Sequence, residues 1–343
     1  MGETGKYARC LVLAGGGGRL GVHLGTVAAA CEAGRAPDVL LGTCGGALVA
    51  ALVHAEPDPQ RQLAWLGGPA MYRFWRGVRT RPGLSLARAA GALAARALDP
   101  RPAPRVPDLD RDALFEVTGG WPELAWREGP GIDAVILGAR QLLARDHAGS
   151  ARAGRPLFQT VAIGPPRATA LLAGAPAGQG AAAVAPTLAT LAPHEMPLHD
   201  AVRVSLTDMV YLPPAEAAGA RWLGGAVDLM PVELATRLAR DVWIDRKDAL
   251  SRWTIAAAWR AVLGLDGRAR QRLVNAAPVA LRIDHRGLGR ALPESVLARR
   301  LALSAGGMRL DIRAAADAHA YRRIIQAQFD EGRRRAHAAM MSA

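Results

Sequence analysis

The chain has 343 residues, of which 50% are hydrophobic, and it carries a formal net charge of +13. This length can bury a sizeable core, and a mean hydropathy of +0.08 excludes an intrinsically disordered protein. The 3 cysteines form neither a disulfide framework nor the spacing of a metal site, so we expect no metal and no cofactor. Aromatic residues are only 5% and no nucleic-acid motif is present, so nucleic acid is not an expected partner.

The positive charge comes almost entirely from arginine, since Lys6 and Lys247 are the only lysines. Such a bias arises from a GC-rich coding sequence, or it attracts the chain to an anionic surface such as lipid head groups. The first ten residues lack the apolar segment of a secretory signal, and no run of about 20 apolar residues could span a bilayer. We therefore expect a cytoplasmic protein with peripheral contact to the inner membrane face through Arg-rich helices.

The first 55 residues alternate between short apolar runs and helical patterns. Residues 9–13 predict a buried strand that ends at four glycines, and residues 20–33 predict a helix. A second buried strand at 39–41 leads through a glycine turn into a helix at 47–55. This order predicts a three-layer α/β/α domain with a mainly parallel central sheet.

Beyond residue 55 the pattern is interrupted and then resumes. Residues 57–110 predict a helical, Arg-rich insertion, which forms either a lid facing a membrane or a solvated excursion. The later pattern predicts helices at 133–145, 199–206, after Pro231, at 294–304 and at 312–335, and strands at 157–163, 168–172, 241–244 and 279–283.

A glycine loop follows the first predicted strand, at Gly15 to Arg19. Unpaired N–H groups where a helix begins form an anion site, suited to a phosphate or to the oxyanion of an acyl-transfer intermediate. The spacing Gly16-x-Gly18-x-x-Gly21 also matches a dinucleotide fingerprint. That fingerprint requires an acid at the end of the second strand, which here ends in Leu41-Gly42, so the nucleotide interpretation is disfavoured.

The second glycine turn, Gly42-x-Cys44-x-Gly46, has the form of a nucleophile elbow. Its glycines permit a tight strand-to-helix turn that presents residue 44 at the start of a helix. The helix dipole would lower the pKa of a thiol at that place and make Cys44 a good nucleophile. The alternative is a small cysteine buried beneath the turn.

These motifs resemble those of the patatin-like phospholipases, which carry a Gly-Gly-Gly-x-Arg-Gly oxyanion loop, a Gly-x-Ser-x-Gly elbow and an Asp-Gly-Gly or Asp-Gly-Ala motif. The corresponding segments here are Gly15–Leu20, Gly42–Gly46 and Leu223–Ala226, with a family-like segment around Asp200–Ser205 before the last. The resemblance covers residues from about 9 to about 240. It implies a patatin-like domain at 8–245, with a helical extension at 246–343 that completes or packs on it. It also implies a lipid or fatty-acyl ester or thioester as the substrate.

Two departures affect the serine–aspartate dyad that the resemblance implies. Cys44 replaces the serine and Leu223 the aspartate, ahead of the motif glycines Gly224 and Gly225. Leucine cannot accept a proton, so the ordinary dyad is absent. The candidates for a substitute base are Asp208, His199, Asp228 and His23, each of which is better explained by a structural role.

Two functions follow from this combination of retained and lost features. In the first, the chain is an acyl hydrolase or acyltransferase of altered or weak activity, with Cys44 as nucleophile and the amides of Gly16, Gly17 and Gly18 as oxyanion donors. Arg19 would orient the loop by hydrogen bonds to carbonyls, which we favour over contact with a lipid phosphate. In the second, the chain is catalytically inactive and binds lipid or membrane as a regulator or scaffold.

Overall fold

A computed structural model of the chain describes residues 5–82, 86–99, 101, 104–177, 181, 183–292, 294–304 and 307–343. Nine of its strands form one central sheet. They are β1 (Tyr7–Leu13), β2 (Val39–Gly42), β5 (Asp133–Gln141), β6 (Phe158–Ile163), β7 (Ala189–Leu191), β8 (Ala215–Ala217), β9 (Ala220–Leu223), β10 (Ala239–Arg246) and β11 (Leu281–Asp284). Two separate ribbons pair β3 (Val78–Thr80) with β4 (Phe115–Val117) and β12 (Leu297–Ser304) with β13 (Gly307–Ala314).

The strands of the sheet follow the order β11-β10-β1-β2-β5-β6-β7, with β9 on β5 and β8 on β9. The pairs from β11 to β5 are all parallel, whereas β6 and β9 run antiparallel to β5. Strands β2 and most of β1 are buried, as expected for a parallel sheet covered on both faces. The predicted three-layer α/β/α fold with a mainly parallel sheet is confirmed.

Helices cover both faces of the sheet. They are α1 (Leu20–Glu32), α2 (Gly45–Ala55), α3 (Pro59–Leu66), α4 (Pro69–Arg76), α5 (Leu86–Leu98), α6 (Pro166–Leu172), α7 (Leu198–Leu206), α8 (Val232–Leu238), α9 (Ile255–Leu263), α10 (Gly267–Ala276), α11 (Leu288–Ala291) and α12 (Ala318–Met341). Leu11 and Leu13 of β1 pack in the core on the side of α1 and α2, while Cys10 and Val12 pack in the core on the side of α8. In the part of the chain described, no helix has the length and apolarity needed to cross a bilayer.

Three predicted elements are wrong. The helix predicted at 133–145 is strand β5, the strand predicted at 168–172 lies within α6, and the helix predicted at 294–304 contains β12. The first two contain short apolar runs, which fit a buried strand and a buried helix equally well. For α6 a proline in its first turn is the signal that decides for a helix.

The region 246–343 is not wholly helical, because it contains β11 and the β12–β13 hairpin. The helix predicted at 312–335 begins only at Ala318. It packs along α1, where the side chain of Gln328 accepts a hydrogen bond from the Gly21 amide at 3.1 Å. Helix α12 therefore lies in the same helical layer as α1.

Candidate active site

The turn between β2 and α2 presents Cys44 with φ 51° and ψ −124°. A positive φ is unfavourable for a residue with a side chain and costs about 1–3 kcal/mol, so it persists only where the surroundings impose it. A side chain at Gly46 would collide with the Leu13 carbonyl of β1, so the strand and the helix can approach closely only with glycine there. This backbone has the form of a nucleophile elbow.

Asp208 lies beside the thiol of Cys44, and the two side chains interact electrostatically. The aspartate follows the end of α7, and its Oδ1 accepts from the Ala226 amide at 3.2 Å. The same helix supplies Ser205, whose Oγ accepts from the Cys44 amide at 3.0 Å. Helix α7 and the loop after it therefore fix both the backbone and the side chain of Cys44.

Burial and the neighbouring Asp208 carboxylate raise the pKa of the Cys44 thiol well above its usual value. Burial also raises the pKa of Asp208 to about 7. The expected lowering of the thiol pKa by the helix dipole is thus wrong, because desolvation outweighs it at this buried place. Near neutral pH the pair consists of a protonated thiol and a carboxyl group close to its titration midpoint.

The backbone amides of Gly17 and Gly45 lie near the Cys44 sulfur, where they favour its thiolate form. One amide belongs to the glycine loop and the other to the residue after the thiol, which is the usual composition of an oxyanion hole beside a nucleophile elbow. Gly17 has φ +57°, a left-handed conformation that favours glycine.

Two side chains hold the glycine loop from the C-terminal region. Lys247 donates to the carbonyl of Ala14, at 2.7 Å, and to that of Gly15. Gln328 donates to the Gly18 carbonyl at 2.9 Å. Arg19 was expected to hold this loop, but within the described residues its side chain makes no hydrogen bond, and it lines the cavity beside the loop.

Cys44 and Asp208 line a cavity of about 560 Å³. Its lining includes apolar side chains, among them Phe74 and Trp75 of the predicted insertion, and polar ones, among them Asp245 and Lys247. The described residues contain no group of three or more side chains arranged to hold a metal ion.

The family model of the patatin-like phospholipases matches residues 11–236. The chain belongs to this family. A crystal structure of VipD from Legionella pneumophila is similar at 13% sequence identity, covering 98% of this chain and 69% of that one with a TM-score of 0.35. No curated protein sequence matches the chain.

In this patatin-like domain, Leu223 does not contact the cavity that Cys44 lines. It ends β9 opposite Ala139 of β5 and packs in the core. Gly224 instead lies against Asp208, since a Cβ on this glycine would come within 2.7 Å of Oδ1. A Cβ on Gly225 would come within 3.0 Å of the Cys44 amide nitrogen. Gly224 thus makes room for a carboxylate that comes from another segment, and Gly225 for the backbone of the Cys44 turn.

The other candidate bases lie away from the thiol. His199 is exposed on α7 and lies 3.6 Å from Asp200. Asp228 is buried and pairs with Arg270 at 3.5 Å, and burial raises the pKa of Asp228 to about 6. His23 lies under the glycine loop, where burial and then Lys247 lower its pKa to about 3. Of the four candidates, the structure brings only Asp208 to Cys44.

Four residues that position this patatin-like site were not predicted from the sequence: Gly45, Ser205, Lys247 and Gln328. Gly45 could have been found, because the residue after the nucleophile of an elbow supplies an oxyanion amide. Lys247 and Gln328 lie outside residues 11–236 and carry no motif. Their contacts with the loop depend on the long-range packing of β10 and α12.

Proposed function

We propose that the chain is a thiol-dependent acyl hydrolase or acyltransferase in which Cys44 is the nucleophile and Asp208 the proton acceptor. The observation that carries the proposal is the proximity of the Asp208 carboxyl group to the Cys44 thiol, both of which line one cavity. A nucleophile beside a base, with two amides near the sulfur, suits covalent acyl transfer.

In the first half-reaction, Asp208 takes the thiol proton while Sγ of Cys44 bonds to the carbonyl carbon of an acyl ester. The negative charge that develops on the carbonyl oxygen is held by the amides of Gly17 and Gly45. The C–O bond to the alcohol then breaks, and the alcohol leaves with the proton from Asp208. A thioester remains on Cys44.

In the second half-reaction, water or another alcohol attacks the thioester and gives its proton to Asp208. The C–S bond breaks, and the proton returns to the Cys44 sulfur. The raised pKa values suit this exchange, since a carboxyl group with a pKa of about 7 can both accept and return a proton near neutral pH.

The apolar side chains of the cavity lining suit the acyl chain. Phe74 and Trp75 line the cavity from α4, and Arg73 and Arg76 on the same helix are exposed. An anionic membrane that attracts these arginines would therefore face a helix that lines the cavity. We expect cosedimentation with vesicles of anionic lipid at low salt and its loss at high salt, whereas neutral vesicles should not bind.

One observation favours the alternative of an inactive lipid-binding protein. The raised thiol pKa leaves almost no thiolate in the resting state, so Cys44 depends wholly on Asp208. If the proton cannot pass to Asp208 during attack, the cavity would bind acyl lipid without cleaving it.

The test is to mix the chain with p-nitrophenyl acyl esters of increasing chain length, quench, and analyse it by mass spectrometry. We expect an acyl thioester on Cys44 and release of p-nitrophenol, both absent in Cys44→Ala and strongly reduced in Asp208→Asn. Cys31→Ala removes an exposed thiol and serves as the matched control. Hydrolysis that persists in Cys44→Ala, or the lack of any acyl adduct in the wild type, would refute the proposal.

A further inference from the structure

A tryptophan is exposed to solvent next to the wall of the cavity. Trp253 lies in the segment between β10 and α9, and 55% of its surface is exposed. The other tryptophans, all of which lie within the described residues, are buried or half-buried. Ser251 and Ile255, on either side of Trp253 in the chain, line the cavity that contains Cys44. The exposed indole is therefore adjacent to the proposed site without being part of its lining.

A second apolar side chain lies next to Trp253 on the surface. Arg252 donates from Nε to the carbonyl of Ala97, near the end of α5, at 3.2 Å. Leu98, directly after Ala97, is 65% exposed. The hydrogen bond thus brings Trp253 and Leu98, each of which neighbours one of its two partners, to the same part of the surface. We call these two side chains the Trp253–Leu98 surface.

The charged residues around this surface are mostly positive. Within three positions of either apolar side chain, the sequence has three arginines and one acid. The acid, Asp99, lies 3.0 Å from Arg101 and 3.5 Å from Arg96. The third arginine, Arg252, is exposed, and within the described residues it forms no ion pair. The net positive charge complements anionic lipid head groups.

The size and chemistry of the Trp253–Leu98 surface favour a lipid surface over a protein partner. A stable protein interface buries about 800 Å² on each partner, far more than two apolar side chains provide. The indole of a tryptophan combines an apolar ring with an N–H donor, and it prefers the boundary between water and the acyl chains of a bilayer. Apolar side chains beside arginines are the combination that holds a protein in this boundary.

We propose that the Trp253–Leu98 surface inserts into the head-group region of an anionic membrane. The arginines attract the chain to the membrane, and the indole and the leucine then enter it. Since Ser251 and Ile255 line the cavity, insertion brings the cavity to the lipid. The inference rests on the membrane contact of the proposed function and identifies the side chains that enter the lipid, but it does not depend on catalysis at Cys44.

The test measures binding to vesicles made of phosphatidylcholine and phosphatidylglycerol in equal parts. It uses the Cys44→Ala chain, so that the lipid remains intact, and cosedimentation gives the partition coefficient. We expect Trp253→Ser to bind about tenfold more weakly and Leu98→Ser about threefold, because each removes apolar area from the inserted surface. Trp253→Phe should bind with intermediate strength. Leu273 on α10 is exposed to a similar degree, at 67%, and Leu273→Ser is the matched control that should bind normally.

Fluorescence provides a second measurement of the same insertion. Lipids brominated in their acyl chains quench tryptophans that enter the bilayer. Such vesicles should quench the fluorescence of the Cys44→Ala chain, and the quenching should be lost when Trp253→Phe is added. Thermal unfolding shows whether each variant is folded, and the quenching of the phenylalanine variant decides the question if the serine variant is not.

Unchanged binding by Trp253→Ser, or an equal loss in Leu273→Ser, would overturn the inference. A second copy of the chain would be the occupant if sedimentation velocity without lipid showed a dimer that Trp253→Ser converts to a monomer, and this result would also overturn it. A chain that binds vesicles through Trp253 but forms no acyl adduct on Cys44 would retain this surface while the proposed catalysis fails.

Discussion

The Asp208 carboxyl group lies beside the Cys44 thiol, although the family motif places its aspartate at the position of Leu223. The carboxyl group comes from just after the end of α7 and lies against Gly224 and the Ala226 amide. A carboxyl group therefore stands next to Cys44, while the family's aspartate position holds a leucine in the core.

Replacing Asp208 by asparagine should change how stability depends on pH. The pKa of Asp208 is about 7 in the folded chain against 3.8 ordinarily, so the folded state binds the proton more strongly and loses stability as pH rises from about 4 to 7. Asp208→Asn should remove this loss. The free energy of unfolding of Asp208→Asn, measured relative to that of the wild type, should therefore rise by about 2 kcal/mol from pH 5 to pH 8. Urea unfolding of both proteins at pH 5 and pH 8 measures these free energies. If the stability of the two proteins changed equally with pH, the raised pKa of Asp208 would be contradicted.

Cys44→Ser alone should give an active esterase. The serine hydroxyl would stand beside the same carboxylate and the same two amides, so no new base has to be introduced. We expect hydrolysis of p-nitrophenyl esters that falls by at least about 100-fold when Asp208→Asn is added, the usual effect of removing a general base. Activity that is indifferent to Asp208 would indicate a different base.

Leu223→Asp should destabilise the fold without adding activity. Leu223 is fully buried among apolar side chains and does not line the cavity. An unpaired carboxylate there should lower the free energy of unfolding by about 3 kcal/mol or more. Denaturant unfolding of Leu223→Asp measures the loss of stability. Ester hydrolysis by the double variant Cys44→Ser/Leu223→Asp, compared with Cys44→Ser alone, measures the effect on activity. A higher rate in the double variant would mean that Leu223 reaches the site.

Lys247→Met should lower kcat about 10- to 100-fold and leave KM less affected, because the glycine loop loses the donor that fixes two of its carbonyls. The only other lysine provides the control. Lys6 lies just before β1, whereas the glycine loop lies just after it, and Lys6 donates to the Thr236 carbonyl. Lys6→Met should therefore keep normal kinetics. Comparable losses in both variants would show a general effect of removing a lysine.

Iodoacetamide at pH 7 should alkylate Cys31 first. Burial raises the pKa of all three thiols, and Glu32 adds to the effect at Cys31, but Cys31 is exposed whereas Cys44 and Cys10 are buried. Cys44 should react slowly, and faster only at higher pH, as followed by peptide mass spectrometry. Fast, selective labelling of Cys44 would mean that the helix dipole controls its pKa after all.

The strand-to-helix turns were predictable because their signal is local. Glycines at 42 and 46 are required by close approach of two backbones, and this requirement is visible in the spacing alone. The order of apolar runs up to residue 55 likewise determines the parallel core of the sheet. Strand β5 was misassigned because a strand buried on both faces has no alternation that would distinguish it from a helix.

The proton acceptor was only one of four candidates in the sequence. Asp208, His199 and Asp228 are all polar residues near α7 or the motif glycines, and their spacing does not rank them. The packing of the loop after α7 against the elbow decides which candidate lies near the thiol. It brings Asp208 to the sulfur and leaves His199 exposed. Contacts of this kind depend on the whole sheet and not on a local pattern.

The bonds from Gln328 to the glycine loop have a consequence for the newly made protein. They join residues 307 and 310 positions apart, so these two bonds can form only after residue 328 has been synthesised. A nascent chain that has already folded its parallel strands would hold the glycine loop through Lys247 alone. If the proposed acyl transfer requires both contacts, it would begin only when α12 docks, well after Cys44 and Asp208 have met.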